Sequence, residues 1–425
     1  MGQKQLQRWK VMEMVDVGKI TLKEAEGMIG VSYRQTKRIW KAVKEKGIKG
    51  LIHGNTGRKS SHRIEERIRK QIVELSRKRY AEFNDSHFTE QLEEREGIGI
   101  SRETVRKIRR EAGILSKHKH RGKKHHKRRE RKAQEGLMVL WDGSPHRWFG
   151  LNHPPCCLMA AIDDATGKLL AAQFLVFEGT EGYLWLLRRI VDHYGIPVSI
   201  YQDRHGALHR NDEHWSLEEQ LAGRQEPTQV GWALEALGVR TIFALSPEAK
   251  GRIERLFKTL QDRLVAELSL ERITSLDSGN AFLQSKFMKT FNARFAVPPR
   301  ESEKAWREVA SKQDLDRLIS FRYTATVGND NAVRLGGVII DIPPGPKRRS
   351  YAKAKVEVRQ LLDGSWRIYY QNRLIAKHPP SSLGKPIRAF KNRGRLTHKG
   401  ALSYSWVYLS SAENVYKSQL PPVPL

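Results

Sequence analysis

The sequence predicts a multidomain α+β protein, with helix-turn-helix modules at the N-terminus, a mixed α/β core in the middle and a small β-barrel near the C-terminus. Three observations predict it. Apolar residues recur at helical spacing on both sides of a glycine at 21–44 and again at 86–113. Strand-like apolar runs begin at 137 and later alternate with helices up to about 267, the pattern of a mixed sheet covered by helices. After about 317, short β-type runs separated by turns return, the pattern of a small barrel or sandwich. At 425 residues the chain is long enough for about two to four domains, each able to bury a core.

Segment 21–44, TLKEAEGMIGVSYRQTKRIWKAVK, places Ala25, Met28, Ile29, Val31, Thr36, Ile39, Trp40 and Val43 on two short apolar faces around Gly30. Ser32 is suited to cap the second helix, whose outward side carries Tyr33, Arg34, Gln35, Lys37 and Arg38, a set able to read the major groove of DNA. At 86–113 the arrangement recurs. Leu92 belongs to a first helix, and Ser101 caps a second bearing Arg102, Lys107, Arg109 and Arg110. The two modules are bounded as 1–55 and 56–116.

Lys plus Arg number 77 against 47 Asp plus Glu, a formal charge of +30 with a sequence pI near 10.1. Residues 1–132 hold 37 of the bases and 17 of the acids, a net of +20, so the front third carries most of the attraction for a polyanion. The densest stretch is the linker 117–132, KHKHRGKKHHKRRERK, with 10 Lys/Arg, among them Lys123, Lys124, Arg128 and Arg129, and four His. Such a run repels itself and cannot form a core, but it orders on phosphates as it releases condensed counterions. Double-stranded DNA is the expected partner. A membrane is not, because no apolar run approaches the about 18 residues of a spanning helix, and no signal peptide opens the chain. The adjacent Cys156 and Cys157 support neither a disulfide framework nor a Cys-x-x-Cys metal site, and core packing in a reducing compartment accounts for them.

In the core region 133–300, LMVLWD, CLMAAID and LLAAQFLVF read as an antiparallel meander whose Asp163 and Asp164 belong to a turn. A helix at about 181–194 ends at Gly195 and Pro197, and VSIYQD follows as a strand. Polar sequence at 204–227 reads as a loop or insertion. A helix over 230–237, the strand TIFAL and a long helix over 249–267 complete the unit. On the long helix Ile253, Leu256, Phe257, Leu260 and Leu264 define the buried side, leaving Glu254 at its margin with Lys258 one turn on. Beyond the β-type region 317–380, segment 381–425 is a basic tail without assignable structure.

Three acids stand at informative places: Asp142 closing LMVLWD, Asp203 closing VSIYQD, and Glu254 in the long helix. Carboxylates are the hard ligands that Mg²⁺ or Mn²⁺ prefers, and two strand ends beside a helix can gather three around a metal pair. WDG at 141–143, YQD at 201–203 and SPEAKGRIERLFKTLQ at 246–261 together resemble the DDE transposase and retroviral-integrase superfamily, in particular bacterial insertion-sequence transposases of the ISNCY type. The resemblance implies a ribonuclease H-like catalytic core between the helix-turn-helix modules and the C-terminal β-barrel. It further implies that Asp142, Asp203 and Glu254 hold two Mg²⁺ (or Mn²⁺) ions, with Lys250, Arg252 and Lys258 near DNA. The interval of 50 residues between Asp203 and Glu254 exceeds that of compact members, and the polar insertion at 204–227 explains the excess.

The activity so implied is cleavage at the terminal inverted repeats of an insertion sequence and joining of the 3′-OH ends to target DNA. It would be carried out by a homodimer or higher homo-oligomer in the bacterial cytoplasm, at the nucleoid. Two other readings are a helix-turn-helix transcriptional regulator, which needs no converging carboxylates, and a nuclease of the same fold that cuts without joining. Neutralising charges in 117–132 is expected to weaken DNA binding and flatten its salt dependence; a slope of log affinity against log salt equal to that of the parent would contradict phosphate contact by this segment.

Overall fold

The computed structural model describes residues 2–52, 55–56, 64–117, 129–210, 214–244, 250–309, 312–346 and 349–380. Lys123, Lys124 and Arg128 of the basic linker and the whole 381–425 tail lie outside the described residues. The chain divides into two compact units, Met1–Glu74 and Leu75–Leu425.

The first unit contains α1 (Gln3–Asp16), α2 (Leu22–Ile29) and α3 (Tyr33–Lys46). The Thr21 hydroxyl accepts the Glu24 amide while the Glu24 carboxylate accepts the Thr21 amide, a reciprocal cap that starts α2. Gly30 ends it at φ +69°, a left-handed turn that a side chain would strain. Val11, Met12, Ala25, Ile39 and Leu51 form the small core. Tyr33, Arg34, Gln35, Lys37 and Arg38 are all exposed on α3. Ser32 occupies the N-cap of that helix, but without a side-chain hydrogen bond.

In the second unit, α5 (Asp85–Glu94) and α6 (Arg102–Glu111) follow α4 (Glu66–Lys78), inside which the division falls. The Ser101 hydroxyl accepts the Thr104 amide and caps α6. Arg102 and Lys107 are exposed, but Arg109 is not available to a ligand. It is 3 % exposed, donates to Asp85 at 2.7 Å and to the Phe83 carbonyl at 3.2 Å, and lies over the Phe88 ring. Arg110 shares Asp85 at 2.5 Å, so both arginines fasten α6 to α5. Arg109 was expected to contact DNA with the other basic residues of α6; helical rotation instead turns it beside Val105 and Ile108, into the core.

The central sheet has the order β3-β2-β1-β4-β5, formed by β1 (Val139–His146), β2 (Cys156–Asp163), β3 (Leu169–Leu175), β4 (Ser199–Gln202) and β5 (Arg240–Phe243). The first three strands are an antiparallel meander, while β1–β4 and β4–β5 pair in parallel, so the sheet is mixed. Alternate side chains feed two cores. Val139, Trp141, Cys157, Met159 and Ala161 pack under α7 (Thr180–His193) and α9 (Gln229–Ala236). Met138, Leu140, Leu158, Ala160 and Ile162 pack under α10 (Gly251–Leu270), α11 (Leu276–Phe282) and α12 (Met288–Phe295). Both cysteines are buried and free. The 204–227 segment, expected as loop, contains α8 (Leu217–Ala222), nucleated by a Ser216–Glu219 capping box.

At the C-terminal side, α13 (Lys312–Leu318) leads to a four-stranded antiparallel sheet, β11-β10-β9-β6, and a separate hairpin, β7-β8. These strands are β6 (Phe321–Thr326), β7 (Ala332–Leu335), β8 (Val338–Asp341), β9 (Lys355–Gln360), β10 (Trp366–Tyr370) and β11 (Arg373–His378). Val333, Ile340, Val358, Trp366 and Ile368 pack the two sheets on one core. Among the described residues, the strands expected as a small barrel or sandwich are hydrogen-bonded as two sheets, not as one closed ring.

The turn between β2 and β3 is built on Asp163 and Asp164, both fully buried. Asp163 accepts the amides of Gly136 and Thr166 at 2.9 and 2.8 Å. Asp164 accepts the Lys132 amide at 2.8 Å and is paired with Arg129 and Arg252. Burial pushes the Asp164 carboxyl up, but the two guanidiniums and the amide outweigh it and hold the group below 3.8. Its contribution to stability is therefore complete above about pH 4 and is lost as pH falls through the lower, folded-state value. Asp164→Asn leaves two guanidiniums facing a neutral group and is expected to cost about 3 kcal/mol at pH 7, with a shallower acid unfolding transition; denaturant titrations across pH check both.

Candidate active site

The pairing of β1 with β4 places the first two acids. Val139 is level with Ile200 and Leu140 with Tyr201, an offset of 61 that carried forward sets Trp141 beside Gln202 and Asp142 beside Asp203. The Trp141 indole N–H donates to Gln202 Oε1 at 2.9 Å in the buried interior and fixes that level. Asp142 was expected at a strand end, but it lies within β1, which continues to His146, whereas β4 stops at Gln202. Both aspartates share the parity of Leu140 and Tyr201, so they project toward the α10 side of the sheet.

Two carboxylates at this spacing repel unless a cation lies between them. Lys250 supplies it. Its Nζ is 2.8 Å from Asp142 Oδ2 and 2.9 Å from Asp203 Oδ2, and its side chain is only 10 % exposed. Asp203 Oδ1 accepts the His205 amide at 2.9 Å. Burial pushes Asp142 up to about 6, with Lys250 pulling back and Asp203 and Glu178 pushing further up. Asp203 is held below the usual carboxylate range, because the Lys250 ammonium and the His205 amide outweigh its burial. The ammonium of Lys250 is raised, since its two carboxylates more than offset desolvation.

Lys250 stands at the N-cap of α10, whose Ile253, Leu256, Phe257, Leu260 and Leu264 are buried against the sheet as the spacing predicts. Gln261 donates to Ser144 Oγ at 3.1 Å and ties the helix to β1. Glu254, one residue past Ile253, is exposed. Among the described residues no group of three or more His, Cys, Asp or Glu is disposed to hold a metal ion. The structure thus brings together Asp142 and Asp203 and leaves Glu254 apart, in the first turn of α10, with the ammonium of Lys250 between the aspartates. Residues 245–249, which lead into that turn and include the Ser-Pro of the third motif, lie outside the described residues.

The other expected site residues separate by environment. Lys258 is exposed on α10, four residues from Glu254. Arg129 and Arg252 are engaged with Asp164, and Arg252 also donates to the Arg129 carbonyl. The sequence placed Lys250 near DNA and Tyr183 on the apolar side of its helix, with no part in the site for Glu178, Tyr183 or Gln202.

No protein-family model matches the chain. It is 34% identical over 399 residues to the putative transposase y4bF of Sinorhizobium fredii, covering 94% of this chain and 83% of that protein. The chain belongs to the same family of transposases. This transposase is also 29% identical over 447 residues to the transposase for insertion sequence IS1202 of Streptococcus pneumoniae, covering 97% of this chain and 85% of that one. Among solved structures, a chain of a simian T-cell lymphotropic virus intasome is 14% identical, with 72% of this transposase and 96% of that chain covered at a TM-score of 0.30. The HTLV-2 integrase catalytic core domain in complex with magnesium, in its trimeric form, is 16% identical, with coverages of 41% and 95% and a TM-score of 0.28. Both TM-scores are too low for these likenesses to bear on the fold. No helix among the described residues of the transposase is long and apolar enough to cross a membrane.

The donor set around Lys250 suits a hard cation: carboxylate oxygens from neighbouring strands, already gathered about a positive charge. In Lys250→Met those oxygens face one another without the ammonium. The variant is expected to be less stable than the parent in chelator and to gain more stability from Mg²⁺. Thermal melts in EDTA and rising Mg²⁺ measure both, and equal metal responses would contradict a cation site.

Proposed function

We propose that this transposase binds the terminal inverted repeats of an insertion sequence, cleaves to expose 3′-OH ends and joins those ends to target DNA by two-metal-ion phosphoryl transfer. The observation that carries the reading is the pair Asp142 and Asp203, level on neighbouring strands and sharing a buried cation. A regulator that only binds DNA has no use for such a pair, whose mutual repulsion costs stability unless a cation answers it.

In this reading residues 133–300 are the catalytic core. Divalent ions, Mg²⁺ or Mn²⁺, would when bound activate the attacking oxygen and stabilise the leaving one. Asp142, Asp203 and Glu254 would hold them. Glu254 lies four residues beyond Lys250 along α10, so the reading requires the ammonium to leave the aspartates and the Glu254 carboxylate to approach them when DNA and metal bind. In cleavage a water oxygen forms the new bond to phosphorus and the 3′-oxygen leaves. In joining, the freed 3′-hydroxyl attacks a target phosphorus and the target's own 3′-oxygen leaves.

DNA binding is assigned to the exposed basic residues. Tyr33, Arg34, Gln35, Lys37 and Arg38 of α3 would enter the major groove, with Arg102 and Lys107 serving the second module. Lys123, Lys124 and Arg128 of the linker would meet phosphates, as would Lys258 beside the site. Arg109 and Arg110 are left out because Asp85 engages them. Pairing of two DNA ends calls for a homodimer or higher homo-oligomer.

Asp142→Asn, Asp203→Asn and Glu254→Gln are each expected to abolish cleavage and joining while leaving affinity for terminal DNA unchanged. Labelled terminal DNA incubated with Mg²⁺ and each variant reads both steps. Undiminished 3′-end products from the two aspartate variants would remove the site, and products from Glu254→Gln alone would remove the third ligand.

A further inference from the structure

One acid beside the aspartate pair has no role so far. Glu178 lies between β3 and α7, one residue before the N-cap of that helix, and its side chain is 16% exposed. Its carboxylate rests against the bare α-carbon of Gly143, where any Cβ would collide with Oε2 and the rest of the carboxyl group. The side chain at 143 would project to the α7 side, opposite Asp142. Glu178 therefore approaches the aspartate pair from the face that Lys250 does not occupy.

A hydrogen bond holds it there. The Tyr183 hydroxyl, on the first turns of α7, donates to Glu178 Oε1 at 2.5 Å. His205 Nδ1, 3.7 Å from the same oxygen, accepts the Ala207 amide and so gives Glu178 no hydrogen bond, while the backbone amide of His205 is the donor that caps Asp203. A third negative charge behind the pair, outside the ligand set itself, raises the cost of the site without a cation and deepens its attraction for one.

We propose that Glu178 is a positioning residue of the catalytic site, whose charge behind Gly143, held there by Tyr183, sets the affinity of the Asp142–Asp203 pair for a divalent cation. The inference rests on the reading of that pair as metal-holding. It also gives glycine at 143 a reason that backbone conformation does not, since Gly143 is absent from the positive-φ residues. A purely structural role is the competing account, because an acid just before a helix favours the positive end of the helix and the Tyr183 bond anchors α7.

Glu178→Gln separates the two, since an amide oxygen still accepts from Tyr183 while the charge is gone. Mn²⁺ binding to the DNA-free protein, by calorimetry, is expected to weaken by about tenfold, the scale found for groups that orient metal ligands. The Mg²⁺ concentration for half-maximal cleavage should rise in parallel, with most of the maximal rate recovered at saturating metal and the KM for DNA unchanged. Gly143→Ala pushes the carboxylate aside with its charge intact and should weaken Mn²⁺ in the same direction. Against Glu178→Ala, which leaves nothing to displace, Gly143→Ala should add little.

Asp142→Asn is run alongside. If it cleaves at any metal concentration, the reading of the pair fails. If it is dead while Glu178→Gln and Gly143→Ala bind Mn²⁺ as the parent does, whatever their melting temperatures, only the role of Glu178 is overturned. Should Glu178→Gln not fold, the Gly143→Ala titration decides alone.

Discussion

Parallel pairing of β1 with β4 sets two negative charges side by side, and much of the second unit is arranged to make that tolerable. The level is fixed from within by the Trp141–Gln202 hydrogen bond, between side chains too buried to exchange it for water. Once Asp142 and Asp203 are neighbours, the cation between them is a requirement. Lys250 meets it at 2.8 and 2.9 Å. Removing one partner of a buried ion pair typically costs about 3–5 kcal/mol, so the ammonium also helps anchor the start of α10.

Helix α10 then serves several neighbours at once. Its apolar side fills the core under the sheet, its N-terminus delivers Lys250, and its outer side is clamped to α5 by ion pairs. Arg263 donates to Glu90 at 2.5 and 2.9 Å, His87 meets Glu267 at 2.8 Å, and Arg95 reaches Glu271 at 2.9 Å. Such contacts set orientation more than stability, because desolvation offsets much of their attraction. They give the α5–α6 pair a direct mechanical connection to the helix that carries Glu254.

Residue type alone does not separate the arginines. Arg38 on α3 and Arg109 on α6 both sit in basic stretches behind a serine N-cap, yet Arg38 is exposed and Arg109 is 3 % exposed on Asp85. The difference lies in which side of each helix meets its neighbour, together with an acid 24 residues earlier in sequence. Arg252 shows the same dependence: next to the third motif it reads as a phosphate contact, but it is spent on Asp164, 88 residues away.

Local chemistry made much of this molecule legible. Apolar periodicity gave the helices around Gly30, the order of meander, helix and strand in the core, and the buried side of α10, because burial needs one face and the repeat of each element is fixed. The motif WDG, YQD and Gly-Arg-Ile-Glu led to the family. The packing of the two C-terminal sheets, the burial of Arg109, the ammonium between Asp142 and Asp203, the exposure of Glu254 and the approach of Glu178 to Gly143 were settled only in three dimensions. Each depends on the register of strands or the rotation of helices against partners far away in the chain, and no local pattern encodes those quantities.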